Sequence, residues 1–238
     1  MQEQRLLMPD SIEDLQVEVD GLRDEITIAR RNSRDFAERH FNTTRESALG
    51  FCLASAADIG QGCDLMAEAK LLAPLYTLTR CLLESLFWVN WIVMSDENAK
   101  VFVDASINEM KRLARENLRI GFATVTDRVT GEDKTGELLE SDWRNGISSR
   151  PGIYERAKAS GLERAYKQMY GFLSIQAHGP AFGFEVGSAE EELLAVMALA
   201  NVLLRCINLV VEAWIVKRKQ TSPEEIYAIL MPPRQSAT

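Results

Sequence analysis

The chain has 238 residues, of which 46% are hydrophobic and 26% are charged, and its formal net charge at pH 7 is −8. That composition is typical of a globular protein with a sizeable core, and the acidic balance argues against a broad basic surface for nucleic acid or anionic lipid. The four cysteines lie in apolar or helical contexts without C-x-x-C spacing. Because such cysteines are typical of reduced thiols, we expect a cytoplasmic protein.

Apolar residues recur with a helical period along nearly the whole chain, and no run alternates as a strand would. We therefore predict an all-α fold: a multi-helix bundle with long apolar central helices that forms a single domain over residues 1–238. Within this domain we expect an N-terminal coiled-coil-like helix at 1–45, a core bundle at 65–215 and a loop-rich insertion or lid at 124–161.

The first helix is predicted to begin after Pro9, with Asp10 or Ser11 as its cap. Its apolar positions follow a heptad pattern, with Ser33 at one core position, and they are Ile12, Leu15, Val19, Leu22, Ile26, Ala29 and Phe36. A heptad seam packs against another helix, which belongs either to the same chain or to a second copy. A homodimer through this helix is therefore one of the two predicted arrangements.

A second helix is predicted at 45–59, a break at the sequence GQGCD, and a third helix at 65–94 that Pro74 interrupts or kinks. The sequence SDEN at 95–98 caps a fourth helix, whose inward-facing residues are predicted to be Phe102, Ile107, Met110, Leu113, Ala114 and Leu118. Further helices are predicted at 162–178, before the Gly-Pro stop, and after the capping sequences SAEE at 188–191 and SPEE at 222–225.

The segment 193–216 is apolar and long enough to span a membrane. Its polar residues recur at spacings of three and four and form one narrow stripe, Asn201, Arg205, Asn208 and Glu212. Because an arginine and a glutamate near the middle of a span are costly against lipid, we interpret this segment as the central helix of a bundle and expect no membrane association.

Two further helices carry polar residues on an otherwise apolar surface. Arg80 and Glu84 share one face of the third helix. A second row recurs every four residues on the helix at 162–178, and it consists of Tyr166, Tyr170, Ser174 and His178. Since burying charge is unfavourable unless the charge is paired, the three stripes are predicted to meet one another or to line a wet cleft.

Two interpretations of the stripes stay open: a polar network that fixes the register of the helices, or a pocket for a small anionic ligand. In the pocket, Arg80 or Arg205 holds the anion, Glu84 orients a partner and His178 transfers a proton. The predicted ligand-binding residues are Arg80, Glu84, Tyr170, Ser174, His178 and Arg205. His178, Glu84 and Ser174 are also the catalytic candidates.

Several common catalytic and binding motifs are absent from the sequence. There is no G-x-S-x-G elbow for a serine hydrolase, no H-E-x-x-H or E-x-x-H motif for a metal, and no Walker A or G-x-G-x-x-G loop for a nucleotide phosphate. The sequence therefore predicts neither a bound metal nor a cofactor.

Two short motifs resemble those of a bacterial family that is classified as a domain of unknown function. The first is the R-x-x-x-E helix TRCLLESLFWVNWI, and the second is the Y-x-x-x-S-x-x-x-H segment YKQMYGFLSIQAHGP. The resemblance covers about residues 65–215 and implies no particular activity. Its matching positions are Arg80, Glu84, Tyr170, Ser174 and His178.

The architecture is more loosely similar to the HEPN superfamily of helical bundles, many of which are RNA-cleaving toxins or phage-defence factors and often dimers. Their signature is an arginine followed, after four to six residues, by a histidine. His178 has no such arginine, whereas His40 has Arg34 upstream in RDFAERH. Our main prediction is a ligand-binding or regulatory module, possible roles being in stress or phage defence. The alternative that this similarity implies is a HEPN-like ribonuclease or toxin using Arg34 and His40.

Overall fold

The computed structural model of the chain describes residues 12–38, 43–140, 151–177, 188–217 and 220–231. Within these ranges the regular elements are helices, which confirms the all-α bundle, and one isolated antiparallel bridge joins Thr126 to Asp133. The helices are α1 (Ile12–Glu38), α2 (Thr44–Glu68), α3 (Leu72–Met94), α4 (Asp96–Arg119), α5 (Thr135–Glu140), α6 (Ile153–Ala159), α7 (Glu163–Ala165), a π-helical turn (Tyr166–Tyr170), α8 (Gly171–Ala177), α9 (Ala189–Lys217) and α10 (Pro223–Leu230).

The core lies between α1, α2, α3 and α9, which pack against one another. Residues 189–215 of α9 are long and apolar enough to cross a membrane, but 61% of the most apolar window is buried inside the protein. Length and composition describe a core helix and a membrane span equally well. The packing of α9 against α1, α2 and α3 places it at the centre of the bundle, as the sequence predicts.

The apolar seam of α1 packs within its own chain, against α2 and α9. Val19, Leu22, Ile26, Ala29 and Phe36 are all buried there. The predicted cap of this helix, at Asp10 or Ser11, lies outside the described residues. Since the seam is covered by the same chain, a dimer through α1 stays an untested prediction.

The polar stripe of α9 faces α1, and this corrects the prediction that the three stripes meet. Asn201 Nδ2 donates to a Glu18 carboxylate oxygen at 2.8 Å, and Asn208 Nδ2 donates to the backbone and side-chain oxygens of Glu25 at 2.9 and 2.7 Å. The stripe therefore holds α1 against α9 and takes no part in the polar cluster of the other two helices.

The boundary between α2 and α3 lies later than predicted. Helix α2 continues through GQGCD. Gly60 lies where α1 and α9 pack closely against α2, since a Cβ there would lie 3.0 Å from Ile26 Cγ1 and 3.1 Å from Leu204 Cδ2. The glycine therefore serves close helix packing and does not end the helix. The chain turns instead at Lys70, which has a positive φ of 53°. Pro74 falls in the first turn of α3, where its missing N–H has no helical partner to lose.

The predicted serine caps are confirmed. The Oγ atoms of Ser95, Ser188 and Ser222 accept hydrogen bonds from the backbone N–H three residues later, at 3.0, 3.3 and 3.2 Å. Ser188 and Ser222 also form the reciprocal bond to a glutamate, so both are capping boxes. These caps fix where α4, α9 and α10 begin.

The second half of α4 lies on the outside of the bundle, contrary to its predicted inward face. Phe102 and Leu118 are buried, but Ile107, Met110 and Leu113 are 39%, 63% and 50% exposed. Periodicity shows which residues share a face, and only the neighbouring helices decide whether that face is covered. Beyond α4, the predicted insertion at 124–161 contains the Thr126–Asp133 bridge, α5 and α6, with 141–150 outside the described residues.

Candidate functional site

A line of polar side chains runs along one face of α3, at the edge of the core. Tyr76, Arg80 and Glu84 follow one another at intervals of four residues, so their side chains lie one turn apart on the same face. The side chains of Arg80 and Glu84 are 20% and 28% exposed. This pair is therefore partly buried, as the sequence predicts.

Helix α8 and the π-helical turn before it bring the second polar row against this face. Arg80 Nη1 lies 3.5 Å from Ser174 Oγ, and the Tyr170 hydroxyl lies close enough to Glu84 and Arg80 for both charges to affect its pKa. The predicted convergence of Arg80, Glu84, Tyr170 and Ser174 is thus present in the structure. We call these four residues the Arg80 cluster.

A π-helical turn forms the part of the row that precedes α8. The turn spans Tyr166–Tyr170, and the two tyrosine rings at its ends stack with centroids 4.9 Å apart and planes at 14°. Tyr154 on α6 touches the Tyr166 ring edge-on at 5.3 Å. Short π-helical turns are rare and often occur at functional sites. The four-residue spacing predicted the row but not the widened turn.

The contacts of Arg80 are long for a structural arginine. Its Nε lies 3.6 Å from Glu84 Oε1, beyond hydrogen-bond distance, and is buried without a hydrogen-bond partner. Arg23 of α1 gives the contrast within the same chain: it binds the buried Asp64 through two nitrogens at 2.9 and 3.0 Å and Glu68 at 2.6 Å. Arg23 has short, charge-assisted bonds that hold α1 to α2, whereas Arg80 has donors that no described residue accepts at such short distances.

One neighbouring pair extends the polar line and was not predicted. The buried Tyr76 hydroxyl donates to Glu192 Oε1 of α9 at 2.7 Å. Tyr76 could have been found from its position one turn before Arg80. Glu192 carries no such signal, since its place beside α3 depends on the path of the chain between α8 and α9.

A second unpredicted residue is Arg156 on α6, whose side chain is almost wholly buried at 1% exposed. Its guanidinium carbon lies 3.8 Å from the centre of the Trp88 ring, and Nη1 donates to the Pro151 carbonyl at 2.6 Å. A guanidinium over an indole face is a favourable cation–π contact. It holds α6, and with it Tyr154, against α3.

The remaining predicted site residues do not join the Arg80 cluster in the described structure. Arg205 is exposed, on the α9 stripe whose asparagines bind α1. Arg34 is exposed on α1. His178 and His40 lie outside the described residues, so their predicted roles are not addressed by the geometry.

Burial and the neighbouring carboxylate change two pKa values at the cluster. Burial, followed by the charge of Glu84, raises the pKa of the Tyr170 hydroxyl, and the nearby Arg80 charge opposes that effect. The same two causes raise the pKa of the Cys81 thiol, the next residue along α3. Both groups therefore stay protonated at neutral pH, and Tyr170 acts there as a hydrogen-bond donor.

The chemistry that this arrangement offers is binding through donors. The Arg80 guanidinium donates to the Ser174 hydroxyl, whose own hydrogen can donate to a ligand, and Glu84 lies beside them as the ion-pair partner of Arg80. Among the described residues there is no group of three or more His, Cys, Asp and Glu side chains arranged for a metal ion. A groove of about 470 Å³ lies away from the cluster, where Phe51, Asp58 and Ile59 of α2 meet Leu78 of α3.

The fold and the cluster together define a helical bundle with an arginine-centred polar site at the edge of its core. A family model described as "Family of unknown function (DUF5677)" matches residues 46–191. Since this match covers more than half of the 238 residues, the chain belongs to that family. The matched range contains the whole Arg80 cluster. No curated protein and no solved structure matches the chain.

Proposed function

We propose that the protein is a ligand-binding module and that the Arg80 cluster binds a small anionic ligand. The observation that carries the proposal is the incomplete bonding of Arg80. Its contacts among the described residues are one 3.5 Å hydrogen bond to Ser174 and one 3.6 Å ion pair to Glu84, while Nε has no acceptor. A guanidinium has five N–H donors, and a phosphate or carboxylate accepts two of them at once in a parallel pair of bonds.

The groups around Arg80 favour the binding of an external anion over a close pair with the Glu84 carboxylate. The Glu84 carboxylate lies 3.6 Å from Arg80 Nε and makes no hydrogen bond to it. The Ser174 hydroxyl accepts from Arg80 Nη1, and its own hydrogen is a neutral donor beside the guanidinium. An anion that binds Arg80 and Ser174 would replace two long contacts by short, charge-assisted ones.

The test is calorimetric titration of the full chain with inorganic phosphate and with pyrophosphate. Arg80→Gln is expected to weaken binding about tenfold or more, because a charged hydrogen bond contributes about 1.5–3 kcal/mol. Arg205→Gln is the matched control, since it removes the same charge from an exposed position on another face. Its affinity should stay within about twofold of wild type.

Equal affinities in wild type and Arg80→Gln would contradict the proposal, as would the absence of any binding by wild type. Loss of binding in Arg205→Gln alone would move the anion to the α9 stripe. Circular dichroism of each variant confirms that the helical bundle is intact.

The alternative function, a HEPN-like ribonuclease or toxin, depends on Arg34 and His40. RNA cleavage by the wild-type chain that is lost in His40→Ala and kept in His178→Ala would favour this alternative. Cleavage lost only in His178→Ala would instead favour the other predicted catalytic residues, His178, Glu84 and Ser174. A cytoplasmic location, a regulatory role in stress or phage defence, and a homodimer through α1 are further proposals of the same kind.

A further inference from the structure

We infer that the ligand of the Arg80 cluster is a nucleotide, whose phosphate binds Arg80 and whose base stacks on the free face of Tyr170. This inference rests on the proposed anion site and names the chemical class of its ligand. It is carried by the aromatic rings that adjoin the cluster.

The three tyrosines form a continuous row that leads to Arg80. The Tyr154 ring meets the Tyr166 ring edge-on at 5.3 Å, and the Tyr166 ring stacks on the Tyr170 ring at 4.9 Å. The Tyr170 ring at the end of the row lies one helical turn before Ser174, whose hydroxyl contacts Arg80. The aromatic row and the guanidinium thus meet at Tyr170.

The row stops where an additional ring would fit. Tyr166 and Tyr170 are followed, one turn further along the helix, by Ser174. Tyr166 covers one face of the Tyr170 ring, and in the described part of the chain no second ring stacks on its other face. Side chains four residues apart on a helix follow one another along its axis. The face of the Tyr170 ring that Tyr166 does not stack on is therefore directed toward the next turn, which carries Ser174, the residue that contacts Arg80.

A purine or pyrimidine base has the shape and the electronic character that such a position accepts. Bases stack on tyrosine rings and on guanidinium planes whichever hydrogen-bonding groups the base carries. Arg80 supplies the charge for a phosphate attached to the same molecule. Glu84, close to both groups, accepts hydrogen bonds and can take one from the amino or imino group of a base.

The Tyr166–Tyr170 stack also explains a use for the π-helical turn. The turn includes both tyrosines, and it is the segment that presents their rings in parallel. Helix α6 supports the row from the side, because Arg156 anchors that helix over Trp88. The stacking surface is therefore held on packed helices and needs little ordering when a ligand binds.

The experiment compares four probes by calorimetry with the full chain: pyrophosphate, ribose 5-phosphate, adenosine and adenosine monophosphate, with guanosine and cytidine monophosphates as further bases. The nucleotides are expected to bind about tenfold or more tightly than ribose 5-phosphate, which carries the anion and the sugar without the base. Nucleotides that bind no more tightly than ribose 5-phosphate would overturn this inference and leave the anion site standing. No Arg80-dependent binding of any probe would overturn both.

Three variants locate the stack. Tyr170→Leu is expected to reduce nucleotide affinity to that of ribose 5-phosphate, so that the ratio of the two affinities falls to about one. Tyr170→Phe keeps the ring and should keep the ratio of nucleotide to ribose 5-phosphate affinity, which also guards against misfolding in the leucine variant. Tyr154→Leu removes a ring from the far end of the same row and should leave the ratio of nucleotide to ribose 5-phosphate affinity unchanged. Loss of the nucleotide preference in Tyr154→Leu, but not in Tyr170→Leu, would overturn the assignment to Tyr170.

Discussion

Two of the carboxylates that pair with arginines, Asp64 and Glu84, are expected to differ clearly in their contribution to stability. Asp64 is 5% exposed and accepts two hydrogen bonds from Arg23, at 2.9 and 3.0 Å. Glu84 is 28% exposed and lies 3.6 Å from Arg80. The first pair has the geometry of a short, buried, two-point contact, and the second has the distance of a screened one.

The magnitudes follow from those distances. Asp64→Asn removes one charge-assisted bond and turns an amide N–H₂ toward a guanidinium, so we expect a loss of about 2–3 kcal/mol in the free energy of unfolding. Glu84→Gln keeps the size of the side chain and loses only a long, partly solvated attraction, so we expect a loss of about 0.5 kcal/mol. The expected difference is therefore about 2 kcal/mol.

The assay is urea unfolding at pH 7, followed by helical circular dichroism, with both variants measured beside wild type. The slope m should stay the same in all three, because neither change alters the surface that unfolding exposes. A loss in Glu84→Gln as large as that in Asp64→Asn would refute the reasoning. It would mean that Arg80 depends on Glu84 as Arg23 does on Asp64, and the main support for an anion site would disappear.

Two further predictions concern the core and the last helix. Burial raises the pKa of three thiols from 9.0 to about 12, and they are Cys52, Cys63 and Cys206. Between pH 8 and pH 10 the unfolded chain then releases thiol protons that the folded chain keeps, so the free energy of unfolding should fall by about 1 kcal/mol per thiol. In urea titrations Cys52→Ala should lessen that fall. The same fall in wild type and Cys52→Ala would contradict this prediction. Gly161 has a φ of 75° and a Cβ there would lie 2.5 Å from Pro223 Cγ, whereas Gly131 has a φ of 73° and open space around it. Gly161→Ala should therefore lower the free energy of unfolding by about 1–3 kcal/mol more than Gly131→Ala does in the same assay. Both variants place an alanine in the left-handed region, but only the one at position 161 brings its Cβ against Pro223. Equal losses would show that α10 moves away freely.

The polar row on α8 shows how much of the site was predictable. Residues four apart on a helix share a face, so the sequence alone grouped Tyr170 with Ser174 and Arg80 with Glu84. It also predicted that an ion pair on so apolar a helix is partly buried. What it did not predict is how loosely Arg80 is held, because a difference between 2.9 and 3.6 Å depends on how two helices pack.

The polar stripe of α9 shows the corresponding limit. Asn201, Arg205 and Asn208 have the same spacing as the residues of the Arg80 cluster, and the same reasoning grouped all of them into one cleft. In the structure the asparagines bind glutamates of α1 instead. Spacing along one helix says which residues lie together, but it contains no information about the direction in which that face points.

The sequence by itself determined the helical class, the serine caps that begin α4, α9 and α10, and the faces on which polar residues gather. These are local properties, set by periodicity and by hydrogen bonds that span three or four residues. The tertiary structure alone decided that α2 continues through Gly60, that Glu192 joins Tyr76, and that the Tyr166 ring stacks on the Tyr170 ring. Each of these depends on contacts between segments far apart in the chain, where close packing of neighbouring helices determines which polar groups meet.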